Sequence, residues 1–207
     1  MTSSSSAMTQ SGRIFAFLFC SVDGFIEDKQ RRLDWSTPEL QVFTWNSPEA
    51  RHNPQVSAML LGRNTFDHFA EFWTTKAAFT DYPQIAQFMR DTPKTVITSR
   101  PESLPDWTGS RPVSGTDLKA TVDALKAAHD DDIAVFGSPT LTAQLLHQGL
   151  LDELRILINP VALGAGTRLF EGLERRVPLT TTSTTTFPSG NVLITYTSQE
   201  DRSEVSA

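Results

Sequence analysis

Residues 133–146, IAVFGSPTLTAQLL, constrain the fold more than any other stretch of the chain. The apolar run Ile133 to Phe136 reads as a strand buried on both faces, and it stops at Gly137-Ser138. Leucines at helical spacing follow Pro139, a residue suited to the first helical position, with Ser138 as a candidate cap before it. A buried strand that turns straight into a helix belongs to an α/β architecture. The pattern recurs at VSAMLLGRNTF, where a second buried strand closes at Gly62 and an amphipathic helix begins in RNTFDHFAEFW.

The rest of the chain fits the same architecture. RIFAFLFCSVDG predicts a first strand ending in a turn at Asp23-Gly24, and KTVITS predicts another strand. Thr37-Pro38-Glu39 and Ser47-Pro48-Glu49 each place a capping residue before proline, so helical segments are expected after both. YPQIAQFMRDTP predicts a helix, and TDLKATVDALKAAH another with Thr116 as its cap. Gly149 is the expected stop of the helix after Ser138. DELRILINPVALGAG reads as a strand entering a glycine-rich turn, and Pro-Ser-Gly-Asn joins two final strands in a hairpin. The expected fold is a mostly parallel central sheet with helices on both faces and a C-terminal antiparallel hairpin. One domain over 13–198 is expected, between disordered tails at 1–12 and 199–207.

Composition narrows the function. The 207 residues carry a net charge of −6, which argues against a general nucleic-acid or membrane-surface binder. No apolar run is long enough to span a bilayer. The single cysteine, Cys20, lies in an apolar strand and reads as a core thiol, which makes the reducing cytoplasm the expected compartment. His52, His68, His129 and His147 are scattered without metal-ligand spacing, so no metal site is expected.

Three strand ends carry chemistry. Gly137-Ser138 at a helix start suits a phosphate or pyrophosphate, and it also suits a plain tight turn. Arg63, after the second strand, offers a planar fork to a phosphate or is a solvated surface residue. Ser99-Arg100, after KTVITS, suits a phosphate monoester such as the 2′-phosphate of NADP. In α/β sheets, ligands gather beyond the carboxyl ends of the strands, where all three lie.

The motifs SVDGFIE, LLGRNTF, PKTVITSR and DIAVFGSPTLTAQLLHQGLLDELRILINPVALGAGTRLF follow one another as in the dihydrofolate reductase superfamily. The chain resembles in particular the branch built like the reductase domain of the bifunctional riboflavin-biosynthesis deaminase/reductase. The resemblance implies a three-layer dihydrofolate-reductase-like fold and NADPH as cofactor. It places Gly62, Arg63 and Thr65 at the cofactor phosphates, Ser99 and Arg100 at the 2′-phosphate, and Gly137, Ser138, Thr140 and Leu141 around the pyrophosphate. It makes Asp23 the candidate catalytic residue, orienting a substrate or helping to deliver a proton, beside its simpler reading as a turn-former. Trp35 and Phe43 are candidates to stack on a flat substrate, or else pack the core.

The resemblance also has departures. The deaminase signatures H-x-E and P-C-x-x-C are absent. FDHFAEFW stands where riboflavin-pathway reductases carry Asp-Pro-x-Leu-Thr, and Gly-Ser replaces the Gly-Gly of many relatives. The expected activity is hydride transfer from NADPH to a C=N or C=O bond of a small heterocycle. Reduction of 5-amino-6-(5-phosphoribosylamino)uracil and a non-catalytic nucleotide-binding role are the alternatives. Family precedent implies a homodimer.

Overall fold

The computed structural model describes residues 12–37, 39–43 and 55–198. Most of both expected tails, Pro38, and the proposed helix start Ser47-Pro48-Glu49 lie outside the described residues.

The elements are β1 (Ile14–Ser21), β2 (Phe25–Glu27), β3 (Val56–Gly62), α1 (Arg63–Trp73), α2 (Lys76–Asp81), α3 (Pro83–Asp91), β4 (Lys94–Ile97), β5 (Ser110–Val113), α4 (Leu118–Ala128), β6 (Asp132–Phe136), α5 (Pro139–His147), β7 (Glu153–Asn159), β8 (Thr167–Arg168), β9 (Leu179–Thr186) and β10 (Val192–Ser198). Ten strands form two sheets among the described residues. The main sheet runs β5-β4-β3-β6-β1-β7-β10-β9, and β2 pairs with β8 in a small second sheet. β5 through β7 are mutually parallel, while β10 runs antiparallel to both β7 and β9. The expected parallel sheet with its antiparallel hairpin is therefore present.

Alternation along β1 builds the three layers. Ile14, Ala16, Leu18 and Cys20 face one side, where α4 contributes Leu118, Val122 and Leu125 and α5 contributes Leu141, Leu145 and Leu146. Phe15 and Phe17 face the other side, against Phe66 and Ala70 of α1 and Phe88 and Met89 of α3. Cys20 is buried as expected, and burial, followed by the nearby Asp23 charge, pushes its thiol up to about 11. Lys94 is also buried. Its ammonium donates to the carbonyls of Arg90, Thr92 and Thr108 and lies 4.4 Å from the centre of the Trp107 ring.

Several local expectations need correction. After Thr37 and Glu39 the described residues form a 3-10 turn, Leu40–Val42, in place of the first turns of the expected helix. Buried Asn159 and Asn191 hold Thr37 by its N–H (2.8 Å) and its carbonyl (2.9 Å), which ties the segment to the sheet. The cap of α4 is Asp117, whose carboxylate accepts the Ala120 N–H at 2.8 Å; Thr116 instead meets Ser114. Ser138 precedes α5 as expected, with Pro139 at its start, but its side chain does not cap the helix. Among the described residues, no helix is long and apolar enough to cross a membrane.

Candidate active site

The strand order reverses between β3 and β6. From β3 the chain passes through α1 toward β4 at one edge, and from β6 it passes through α5 to β7 on the other side. α1 and α5 pack on opposite faces of the sheet, so the carboxyl ends of β3 and β6 form a topological switch point. Such switch points are where open α/β sheets bind ligands. β4 lies beside β3, so the three strand ends singled out in the sequence share one edge.

Two side chains join the ends of β3 and β6. The Ser138 hydroxyl accepts the Gly62 N–H at 2.9 Å and shares a 2.7 Å hydrogen bond with the Thr65 hydroxyl. Thr65 Oγ1 in turn accepts the Ser138 N–H at 3.0 Å. Gly137 and Ser138 both have left-handed backbones, with φ of 63° and 51°. Glycine adopts that conformation freely, whereas serine is held there at some cost. A Cβ on Gly62 would lie 2.6 Å from Ser138 Oγ, and one on Gly137 would lie 3.3 Å from Thr65 Cγ2. The small residues are thus required by the close approach of the two strand ends.

The starts of α1 and α5 have no side-chain cap. Among the described residues, the backbone N–H groups of Thr140 and Leu141 have no acceptor, as at any uncapped first turn. Thr140 is exposed, whereas the Leu141 side chain is buried in the core, so only its backbone faces the helix start.

Arg63 and Arg100 differ sharply. The Arg63 guanidinium pairs with Asp67 at 2.8 Å and donates to the Arg100 carbonyl and to both the hydroxyl and the carbonyl of Ser103. It braces the start of α1 against the segment after β4, which leaves little of its fork for a ligand. Ser99 and Arg100 are exposed, and the Arg100 guanidinium has no partner among the described residues. The Arg100 N–H is held at 3.0 Å by the buried Thr98 hydroxyl, which fixes this turn.

β1 and β7 lie on the other side of β6, and their carboxyl ends carry Asp23 and the glycine-rich loop. Asp23 is exposed and accepts three hydrogen bonds. They come from the Ser21 hydroxyl (2.6 Å), the Leu163 N–H (3.1 Å) and the Gly164 N–H (2.7 Å). The Ser21 hydroxyl first, and then the two loop N–H groups, hold its carboxyl down at about 2. It is an anion at neutral pH.

The two aromatic candidates also part company. Phe43 packs edge-on to Phe17 (5.2 Å) and stacks on Phe19 (5.6 Å), so much of its surface is spent on protein contacts. Trp35 is half-buried and donates its indole N–H to the Arg32 carbonyl at 3.0 Å, with no ring partner among the described residues. Sequence reasoning missed Asn159 and Asn191, which position the segment after Trp35. Their partners are 122 and 154 residues away in the chain, so no local pattern marks them.

Comparison with known proteins agrees with this geometry. Residues 13–193 match the RibD C-terminal domain family. An uncharacterised protein of Bacillus subtilis, YyaP, is 29% identical over 186 residues, which covers 89% of this chain and 94% of that one. The crystal structure of a candidate riboflavin biosynthesis protein from Shewanella sp. PV-4 superposes with a TM-score of 0.66 at 21% identity, covering 91% of this chain and 99% of the other. Dihydrofolate reductase from Enterococcus faecalis, in complex with NADP(H) and RAB-propyl, superposes with a TM-score of 0.58 at 14% identity, covering 92% and 98%. The fold is dihydrofolate-reductase-like, and the chain belongs to the RibD C-terminal domain family.

Proposed function

We propose that the chain is an NADPH-dependent reductase of a small, flat heterocycle, acting on a C=N or C=O bond. The observation that carries this reading is the switch point, where two helix starts without side-chain caps meet beside an unpaired arginine. A dinucleotide with an extra phosphate fits that donor set. The Thr140 and Leu141 N–H groups at the start of α5 suit a pyrophosphate. Gly62, Gly137 and Ser138 keep the strand ends small beside it, and Thr65 locks them together. Arg100, with Ser99 beside it, suits a 2′-phosphate monoester. Arg63 contributes by fixing this turn through Ser103 and the Arg100 carbonyl.

When bound, the nicotinamide supplies the hydride. The chain's own residues orient the two rings and keep water out. Trp35 is the proposed stacking surface for the substrate, with Phe43 supporting the nearby aromatic cluster. Asp23 lies at the substrate end as an anion. The single buried thiol supports a cytoplasmic setting.

Family membership favours one narrower reading, reduction of 5-amino-6-(5-phosphoribosylamino)uracil. The FDHFAEFW segment weighs against it, because it forms α1 where the pathway enzymes carry Asp-Pro-x-Leu-Thr. A non-catalytic nucleotide-binding protein would share the switch point and lack turnover.

The test is nucleotide binding followed by nicotinamide fluorescence. Tight NADPH and weak NADH binding are expected, and binding of neither overturns the reading. The proposed assembly is a homodimer; light scattering at micromolar concentration should give twice the 22.9 kDa chain mass, and the mass of one chain contradicts it.

A further inference from the structure

We infer that Asp23 is a positioning residue: its carboxylate latches the loop between β7 and β8 onto the turn after β1, and so holds the substrate end of the site preformed. The link to a substrate rests on the reductase reading; the latch rests on geometry.

Every neighbour that contacts the carboxylate does so as a donor. Oδ1 takes the Ser21 hydroxyl and the Leu163 N–H, and Oδ2 takes the Gly164 N–H. The two loop N–H groups can only donate, one to each carboxylate oxygen, so both oxygens are engaged as acceptors and the arrangement favours the anion. The loop residues lie 140 and 141 positions away in sequence, so the contact fastens two distant segments.

The surrounding bonds fix both ends of that loop. Val22 N–H donates to the Val161 carbonyl at 2.9 Å, and Leu169 N–H donates to the Gly24 carbonyl at 3.0 Å. β2 pairs with β8 beyond it, and the Thr167 hydroxyl donates to the Glu27 carboxylate at 3.1 Å. A Cβ on Gly166 would run into the Glu27 carbonyl, so this end approaches as closely as backbone allows. Between these anchors, Asp23 supplies the hydrogen bonds to the middle of the loop among the described residues. Leaving the loop unlatched would free it at the carboxyl ends of β1 and β7, beside the switch point.

The test is amide hydrogen exchange on the full chain, read at Leu163 and Gly164, with NADPH binding measured in parallel. In Asp23→Ala both amides should exchange about ten-fold faster or more, since both lose a charged acceptor. Asp23→Asn keeps the side-chain shape and one acceptor oxygen, so it should restore protection to one amide and not to both. Amides of β1 and β7 serve as the internal reference and should not change. Unaltered exchange at Leu163 and Gly164 in Asp23→Ala, with NADPH still bound by the wild type, overturns the latch alone. If the wild type binds neither NADPH nor NADH, the reductase reading falls, and the latch loses its role at a substrate site.

Discussion

Ser138 shows how one residue can serve two strands. It sits in a left-handed conformation that serine adopts at a cost, and its hydroxyl repays that cost by joining Gly62 and Thr65. Two substitutions separate these effects. Ser138→Ala keeps the strained backbone and loses the hydroxyl, leaving the Gly62 N–H without its acceptor; it should cost about 2–3 kcal/mol. Ser138→Gly loses the same hydroxyl but relieves the backbone, so it should cost less by about 1 kcal/mol. Urea midpoints at unchanged slope check both values. Equal losses would show that the left-handed backbone carries no strain. The small turn at Gly137-Ser138 was legible in the sequence, because glycine, serine and proline announce it locally. The bond to Thr65 was not, because it spans 73 residues and exists only once β3 and β6 are neighbours. The bracing contacts of Arg63 were not legible for a related reason. Its partners on the Arg100–Ser103 turn come into reach only through the pairing of β3 with β4.

Among the elements, the long and strongly patterned ones were legible and the short ones were not. α1 and α3 begin and end close to where glycine, proline and apolar spacing place them. α2 has six residues, too few to show a clear helical face, although Thr75 does cap it through the Ala78 N–H. β2 and β8 are held by pairing across about 140 residues, and neither is long enough to show alternation. After Thr37 the described residues hold one 3-10 turn, and Asn159 and Asn191 bond the Thr37 backbone, contacts that no local pattern marks. The start of α4 offers the direct test of a local signal that was one residue off. Asp117→Ala should cost about 1 kcal/mol, as loss of a helix cap usually does, while Thr116→Ala should stay within about 0.5 kcal/mol. Thermal or urea unfolding of the two variants measures the difference, and equal effects would contradict the assignment of Asp117 as the cap.

At the scale of the molecule, strand order places the candidate site. The chain lays β3, β4 and β5 outward, returns with β6 beside β3, and crosses with α5 to β7. That reversal brings Gly62, Thr65, Gly137 and Ser138 together and sets the Ser99-Arg100 turn alongside. The alternation of strands and helices made the sheet legible in sequence. The order of its strands was not legible, since periodicity does not tell which strands are neighbours. The same order sets β1 and β7 next to the switch point and gives Asp23 a loop to hold.

On the proposed reading, the switch point takes a dinucleotide with its extra phosphate on Arg100. The most direct measurement is a titration of wild type and Arg100→Ala with NADPH and NADH, followed by nicotinamide fluorescence. Wild type should prefer NADPH, and Arg100→Ala should weaken NADPH roughly 10- to 100-fold while changing NADH little. Equal weakening of both nucleotides, or no preference in the wild type, would contradict it.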